Sequence, residues 1–341
     1  MIRIWACQLK LWSTFLGMSA LASIVSAQTA ITSATLSSTD GADQIVNGRT
    51  YLNQTLSLDT FTAGGNTFAL SGTADTIHIR RTAGGLNRSH IWYDTTSEGG
   101  DRYSGYINNI EDAILANNLH VGTHNLFANT SNSVANIERV DLMVAAGFSA
   151  AEGFAIPVFD FGTNPNHESF SIALITGVDG AGDPNAYSSL ASTAPFSAPN
   201  IHTHDSFSIE RFDAGNDTSG TPYTIFNTSN DQGPGGVIFE LDDFGVSAGT
   251  TIYGYSLFGY DVSTGGNPNN LIDWTNATYF PTNTPEGNNT AGGFDFSGVN
   301  GIFFQDVAFA VVPEPSAFGL GGIAVITLAL FRRRRRASFA V

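Results

Sequence analysis

Sulfur and lysine are almost missing from this chain of 341 residues. It has one cysteine, Cys7, and one lysine, Lys10, both within the first ten positions. No intramolecular disulfide can form, and beyond Cys7 there is no thiolate nucleophile or cysteine metal ligand. Basic residues are scarce as a class, with 14 Lys and Arg against 30 Asp and Glu. Five arginines form one run near the C-terminus, so residues 28–311 keep seven arginines and nearly all of the acid. Such a surface repels nucleic acid, whose recognition begins with a basic footprint, and no nucleic-acid partner is expected. The 42% of apolar residues nevertheless excludes a disordered chain, because it offers enough surface to bury.

What is present begins at the two ends. Arg3 and Lys10 precede a mostly apolar stretch over 11–25, and Val25-Ser26-Ala27 places small residues ahead of Gln28. This order predicts a secretory signal peptide over 1–27, cut between Ala27 and Gln28 by signal peptidase. Cys7 lies before the apolar stretch, which argues against a lipoprotein anchor. At the other end Pro313, Glu314 and Pro315 interrupt any helix or central strand. An uncharged apolar run over 316–331 follows, closed by Arg332, Arg333, Arg334, Arg335 and Arg336. A span needs about twenty apolar residues, so this run crosses a bilayer only barely. The arginines would hold its end in the cytoplasm.

That ordered triple at 312–341 resembles the PEP-CTERM sorting signal of Gram-negative bacteria. The resemblance implies processing near Pro313-Glu314-Pro315 by an exosortase, a membrane cysteine transpeptidase. It further implies an inner-membrane-anchored precursor released to the cell surface or beyond, often in bacteria that make exopolysaccharide.

The 25 Phe and 10 Tyr favour strands, and 37 Gly with many Asn, Ser and Thr supply turns. Residues 28–66 read as weak edge strands. Strand patterns follow at 76–80 and 89–93, with a turn at Gly84-Gly85 between them, and again at 137–144. From 155 they recur at 155–161, 169–176, 206–212, 223–226, 237–241, 251–262 and 302–312, separated by turn-rich loops. One helix is expected over 106–119, with Ile107, Ile110, Ile114 and Leu115 on one face and Asn108 or Asn109 as its cap. The pattern predicts a mainly β fold over 28–311, a β-sandwich or jelly roll with one short helix. The stretches 136–141 and 249–258 are similar to segments that recur in exosortase-sorted surface proteins.

Four constellations carry potential chemistry. His202 and His204 sit two apart, so on a strand they would face one side and share a transition metal with Asp205 or Glu210. An H-x-H with no H-E-x-x-H nearby is equally met by two solvent-facing imidazoles. Asp179, Asp183, Asp213 and Asp217 lie in glycine-rich loops that suit calcium, the one cofactor suggested, although the same residues make turns for backbone reasons. Tyr253, Tyr255 and Trp274 would form a stacking platform for sugar rings, or else pack in the core. Glu152, Asp160, Glu168, Glu210, Glu240, Asp242 and Asp243 are the carboxylates from which a hydrolytic pair would be drawn. No local signature is read as favouring a Ser-His-Asp triad. The sequence therefore predicts an exported structural or adhesive protein, with exopolysaccharide as a binding partner. The alternative is a secreted glycan-active hydrolase or lyase.

Overall fold

The computed structural model describes residues 28–305, except 47, 83–87, 96–102, 108, 130–135, 205, 214–222, 229–231 and 286–292. Gln28 is inside this set. Ala27, Pro313, Glu314, Pro315, the apolar run and the five arginines lie outside it. Among the described residues no helix is long and apolar enough to cross a membrane.

The described body is mainly β, with one α-helix. An eight-stranded sheet is built around the neighbours Phe154–Thr163 and Gln232–Glu240. From Gln232–Glu240 it continues through Thr29–Asp40, Gln54–Ala63, Asn66–Thr73 and Gly301–Gln305. The last of these pairs back onto Phe154–Thr163 at Phe154↔Phe304 and Ala155↔Phe303, closing six strands into a ring. A second sheet of six strands centres on Ile137–Ser149 and Thr251–Phe258, and a third of five on Arg88–Thr95.

The ring explains why its shared strands carry so little polarity. On Phe154–Thr163, Ala155 and Phe159 point to a core that includes Ile31, Leu58, Phe61 and Phe303. Ile156 and Val158 point the other way, onto a core shared with Leu142, Ile172, Leu174 and Leu257 of the six-stranded sheet. A strand buried on both faces reads as a continuous apolar run. Residues 28–66 fit the edge-strand expectation only in part: Thr29–Asp40 and Gln54–Ala63 join the ring through Thr29, Ala30 and Thr60–Ala63 and bury Ile31, Leu58 and Phe61, whereas Gln44–Val46 and Arg49–Tyr51 form a separate two-stranded pair.

The helix is shorter than its periodicity suggested. Asn109 caps it, accepting from the Asp112 N–H at 2.7 Å, and it spans only Ile110–Leu115. Asn117 then takes a left-handed φ of 46°. The chain leaves this turn as the strand Asn118–Thr123, which overlaps the expected helix only at 118–119. Thr76–Arg81 and Arg88–Thr95 join different sheets and are not hairpin partners. Gly84 and Gly85 lie outside the described residues.

The five-stranded sheet is keyed to the ring by Trp92, whose ring stacks on Phe161 at 4.2 Å. Gly122 opposite makes room for the indole, since a Cβ there would fall 2.6 Å from it and 2.1 Å from the Phe296 carbonyl oxygen. This junction positions the site described next.

Candidate metal centre

Arg88–Thr95 and Asn118–Thr123 pair with Tyr93 opposite Val121, so antiparallel register sets Asp94 against His120. His120 Nδ1 lies 2.9 Å from Asp94 Oδ2. Two further imidazoles arrive on residues 200–204, which run along Gln232–Glu240 where Thr29–Asp40 no longer covers it. The Ile201 N–H donates to Pro234 O at 2.9 Å and the His204 N–H to Gln232 O at 2.8 Å. Gly233 permits this approach, because a Cβ there would stand 1.9 Å from the His202 carbonyl oxygen.

His204 Nδ1 comes within 2.6 Å of the same Asp94 oxygen. The ring centroids of His202 and His204 are 4.7 Å apart, and those of His120 and His202 are 5.6 Å apart. One ligand atom from each of Asp94, His120, His202 and His204 can be chosen so that all lie within 4.8 Å of one another. Aromatic walls enclose them. Tyr103 stacks on His120 at 5.0 Å, and Phe161 and Trp92 flank His204 at 5.2 and 5.7 Å.

Burial pushes the Asp94 carboxyl up, but His120 and His204 outweigh it and leave the group below its ordinary value. Burial, then the neighbouring His204 and His120, press the His202 imidazole down to about 4. Neutral at physiological pH, His202 keeps a lone pair to offer. His204 is 1% exposed, and among the described residues its Nε2 has no hydrogen-bond partner.

The partners expected for His202 and His204 are not those found. Asp205 lies outside the described residues. Glu210 is held elsewhere, by Arg49 Nη1 at 2.7 Å and the Tyr51 hydroxyl at 3.0 Å. Asp94 and His120 were missed by the sequence reading. Asp94 falls one residue past the strand pattern at 89–93, and His120 one residue past the helix pattern at 106–119. The available signal was the alternation Leu119-His120-Val121 after the paired Asn117 and Asn118.

Asp179 caps its own turn, accepting from the N–H groups of Ala181 and Asp183 at 2.8 and 3.0 Å. Asp183 binds Arg80 Nη2 at 2.5 Å, which holds its carboxyl below the ordinary value. Asp213 ends the strand Ser206–Asp213, and Asp217 lies outside the described residues. The calcium reading thus has one of its four aspartates committed to a turn and one to an ion pair.

The aromatic platform is not assembled. A bulge at Gly254, φ 127°, shifts the register between Ile252 and Gly254. Tyr255 consequently joins Ile252 in the inner core at 1% exposure, while Tyr253 packs against the outer one. Trp274 is covered by the guanidiniums of Arg80 and Arg139, at 4.9 and 5.0 Å from its ring.

Among the carboxylates, Glu152, Glu240 and Asp242 line one open cleft together with Ser247. A G-x-S-x-G pattern occurs there, as Gly245-Val246-Ser247-Ala248-Gly249. It runs from the 3-10 turn Leu241–Phe244 into Thr251–Phe258, the reverse of the strand-turn-helix that exposes a nucleophile. Asp160 is wholly buried, accepts from the N–H groups of Glu168 and Asp295, and lies 3.2 Å from His167 Nδ1.

No family model, no curated protein and no solved structure matches this chain.

Proposed function

We propose that the protein is an exported, exosortase-sorted component of the cell surface or extracellular matrix, with a structural or adhesive role. The observation that carries this reading is the order at its C-terminus: Pro313-Glu314-Pro315, an apolar run, then five arginines. Between the two processed ends lies an acidic β body of sandwich type, stabilised without disulfides. Its internal charges serve the fold: Glu210 is bonded to Arg49 and Tyr51, and Asp141 to Arg80, Arg139, Tyr187 and Ser256. Signal peptidase and an exosortase-type enzyme act on the precursor, the inner membrane holds it transiently, and exopolysaccharide is the partner of the mature form.

Mass spectrometry of the protein recovered from fractionated cells tests the reading. The expected species begins at Gln28, ends near Pro313 and is found at the surface or in the medium. A cytosolic chain with both ends attached overturns it. Binding to the organism's own exopolysaccharide, measured with and without calcium, tests the adhesive part, and no retention in either condition refutes it. The second reading, a secreted glycan hydrolase or lyase, draws support from the cleft that gathers Glu152, Glu240 and Asp242, where burial raises the Glu240 carboxyl. Turnover of that polysaccharide, abolished by Glu240→Gln, would favour it.

A further inference from the structure

The cluster at the junction of the ring and the five-stranded sheet has a simple explanation that covers only half of it. His120 Nδ1–H donating to Asp94 is an ordinary buried hydrogen bond, and it accounts for both of those groups. It leaves the far nitrogen of His204 unexplained. That ring is 1% exposed, its Nδ1 stands 2.6 Å from Asp94 Oδ2, and among the described residues its Nε2 has no hydrogen-bond partner. Buried polar atoms are rarely left so, because each unsatisfied one costs about 1–3 kcal/mol. A third imidazole, His202, is brought to the same point by a backbone path that only glycine at 233 allows. Three imidazoles converging on one carboxylate want a cation between them.

We propose that Asp94, His120, His202 and His204 bind one divalent ion of the zinc class, and that the ion pins residues 200–204 to the five-stranded sheet. Three nitrogens and one oxygen suit zinc, copper, nickel or cobalt. They do not suit calcium, which takes six to eight oxygens. Four protein donors complete a tetrahedron, the pattern of a closed structural site, whereas a catalytic zinc keeps one position for water. The ligand atoms, all within 4.8 Å of one another, need only small side-chain rotations to draw in to zinc-bond distance. His202, the half-buried member, gives the ion its way in.

The two ends of the tie explain its use. Asp94 and His120 belong to the five-stranded sheet; His202 and His204 ride on the edge of the eight-stranded one. In a chain that has no disulfide, a bound ion crosslinks two sheets through residues far apart in sequence. The inference stands independently of the export reading, since it rests on the geometry of the four side chains alone.

The test uses the full-length chain purified in mild detergent, stripped with a chelator and shown by circular dichroism to remain folded. Zinc is then added and measured by elemental analysis and calorimetry, with cobalt as a spectroscopic probe. The expected result is one zinc per chain, a Kd below about 1 µM, and visible cobalt absorption of tetrahedral intensity. Zinc at a hundredfold excess over Kd raises Tm by about 5 °C. His202→Ala, at the least buried ligand, weakens zinc at least tenfold while keeping the fold, and His202→Gln does the same. His78→Ala, outside the cluster and beside Asp183, leaves binding unchanged. A folded wild-type chain that takes up less than about one tenth of an equivalent of zinc overturns the proposal. Uptake undiminished in both His202 variants overturns it equally.

Discussion

Arg139 and Asp141 stand two residues apart on one strand and meet in the interior: Arg139 Nη2 donates to Asp141 Oδ2 at 3.1 Å, and the side chains are 1% and 0% exposed. The Asp141 carboxylate also accepts from Ser256 Oγ at 2.6 Å, Tyr187 at 3.3 Å and Arg80 Nε at 3.3 Å. Arg139 in turn donates to the carbonyls of Leu271 and Ile272. Such a group is expensive to break and nearly neutral to replace as a whole. Asp141→Asn should therefore cost about 3–5 kcal/mol in urea unfolding, because it leaves Arg139 buried without its counter-charge. The double variant Arg139→Met, Asp141→Leu should cost less than the sum of the two single changes. Additive costs would show that the two residues do not act as a pair.

Tyr255 makes the opposite prediction. Its ring is packed beside Ile252 and Leu257, and among the described residues its buried hydroxyl has no hydrogen-bond partner. Tyr255→Phe removes an unsatisfied polar atom and keeps the ring, so stability should be unchanged or rise by about 1 kcal/mol. A loss of 2 kcal/mol or more, as an order-of-magnitude threshold, would mean that the hydroxyl has a partner after all.

Much of this architecture was legible because strand alternation is a local signal. The patterns at 155–161, 206–212 and 223–226 become Phe154–Thr163, Ser206–Asp213 and Tyr223–Thr228. The stretches 136–141 and 249–258, singled out for their resemblance to recurring segments, lie side by side, with Asp141 opposite Ser256. Closure of the ring was not legible, since the pairing of Phe154 with Phe304 joins residues far apart and leaves no mark at either position. A shared platform needs Tyr253 and Tyr255 on one face, and the bulged residue between them reverses the alternation. Half of the metal cluster was legible for the same local reason: His202 and His204 are near neighbours in sequence. Asp94 and His120 join them only through sheet register and tertiary packing.

Glu138 supplies a test in pH. Burial raises its carboxyl to about 7, against the pull of hydrogen bonds from Thr82 and Asn129. The folded chain thus holds this proton more tightly than the unfolded one, and the group's contribution to stability is lost as pH rises from about 4.5 through 7. His202, lowered to about 4, works in the other direction over part of that range, so the wild-type profile is a composite. A difference isolates Glu138. Glu138→Gln mimics the protonated form, so it should match wild type near pH 4.5 and exceed it by up to about 3 kcal/mol near pH 8. An offset that is the same at both pH values would refute the assignment.

Gly233 gives the sharpest link between backbone and site, because it supplies none of the four ligand atoms. A methyl group there would stand 1.9 Å from the His202 carbonyl oxygen and 3.2 Å from Asn200 Nδ2, and backbone cannot yield as a flexible side chain can. The 200–204 segment must move outward by about an ångström or more, carrying His202 and His204 off their positions, and metal sites tolerate only about 0.2 Å in ligand distance. Gly233→Ala should therefore weaken zinc at least tenfold and increase hydrogen exchange over 200–204. Gly72→Ala serves as the control: it is also a strand glycine, and a Cβ there meets nothing within 4 Å. It should change neither quantity. Were Gly233→Ala to bind zinc as tightly as wild type, the path of the 200–204 backbone could not be what delivers His202 and His204 to Asp94.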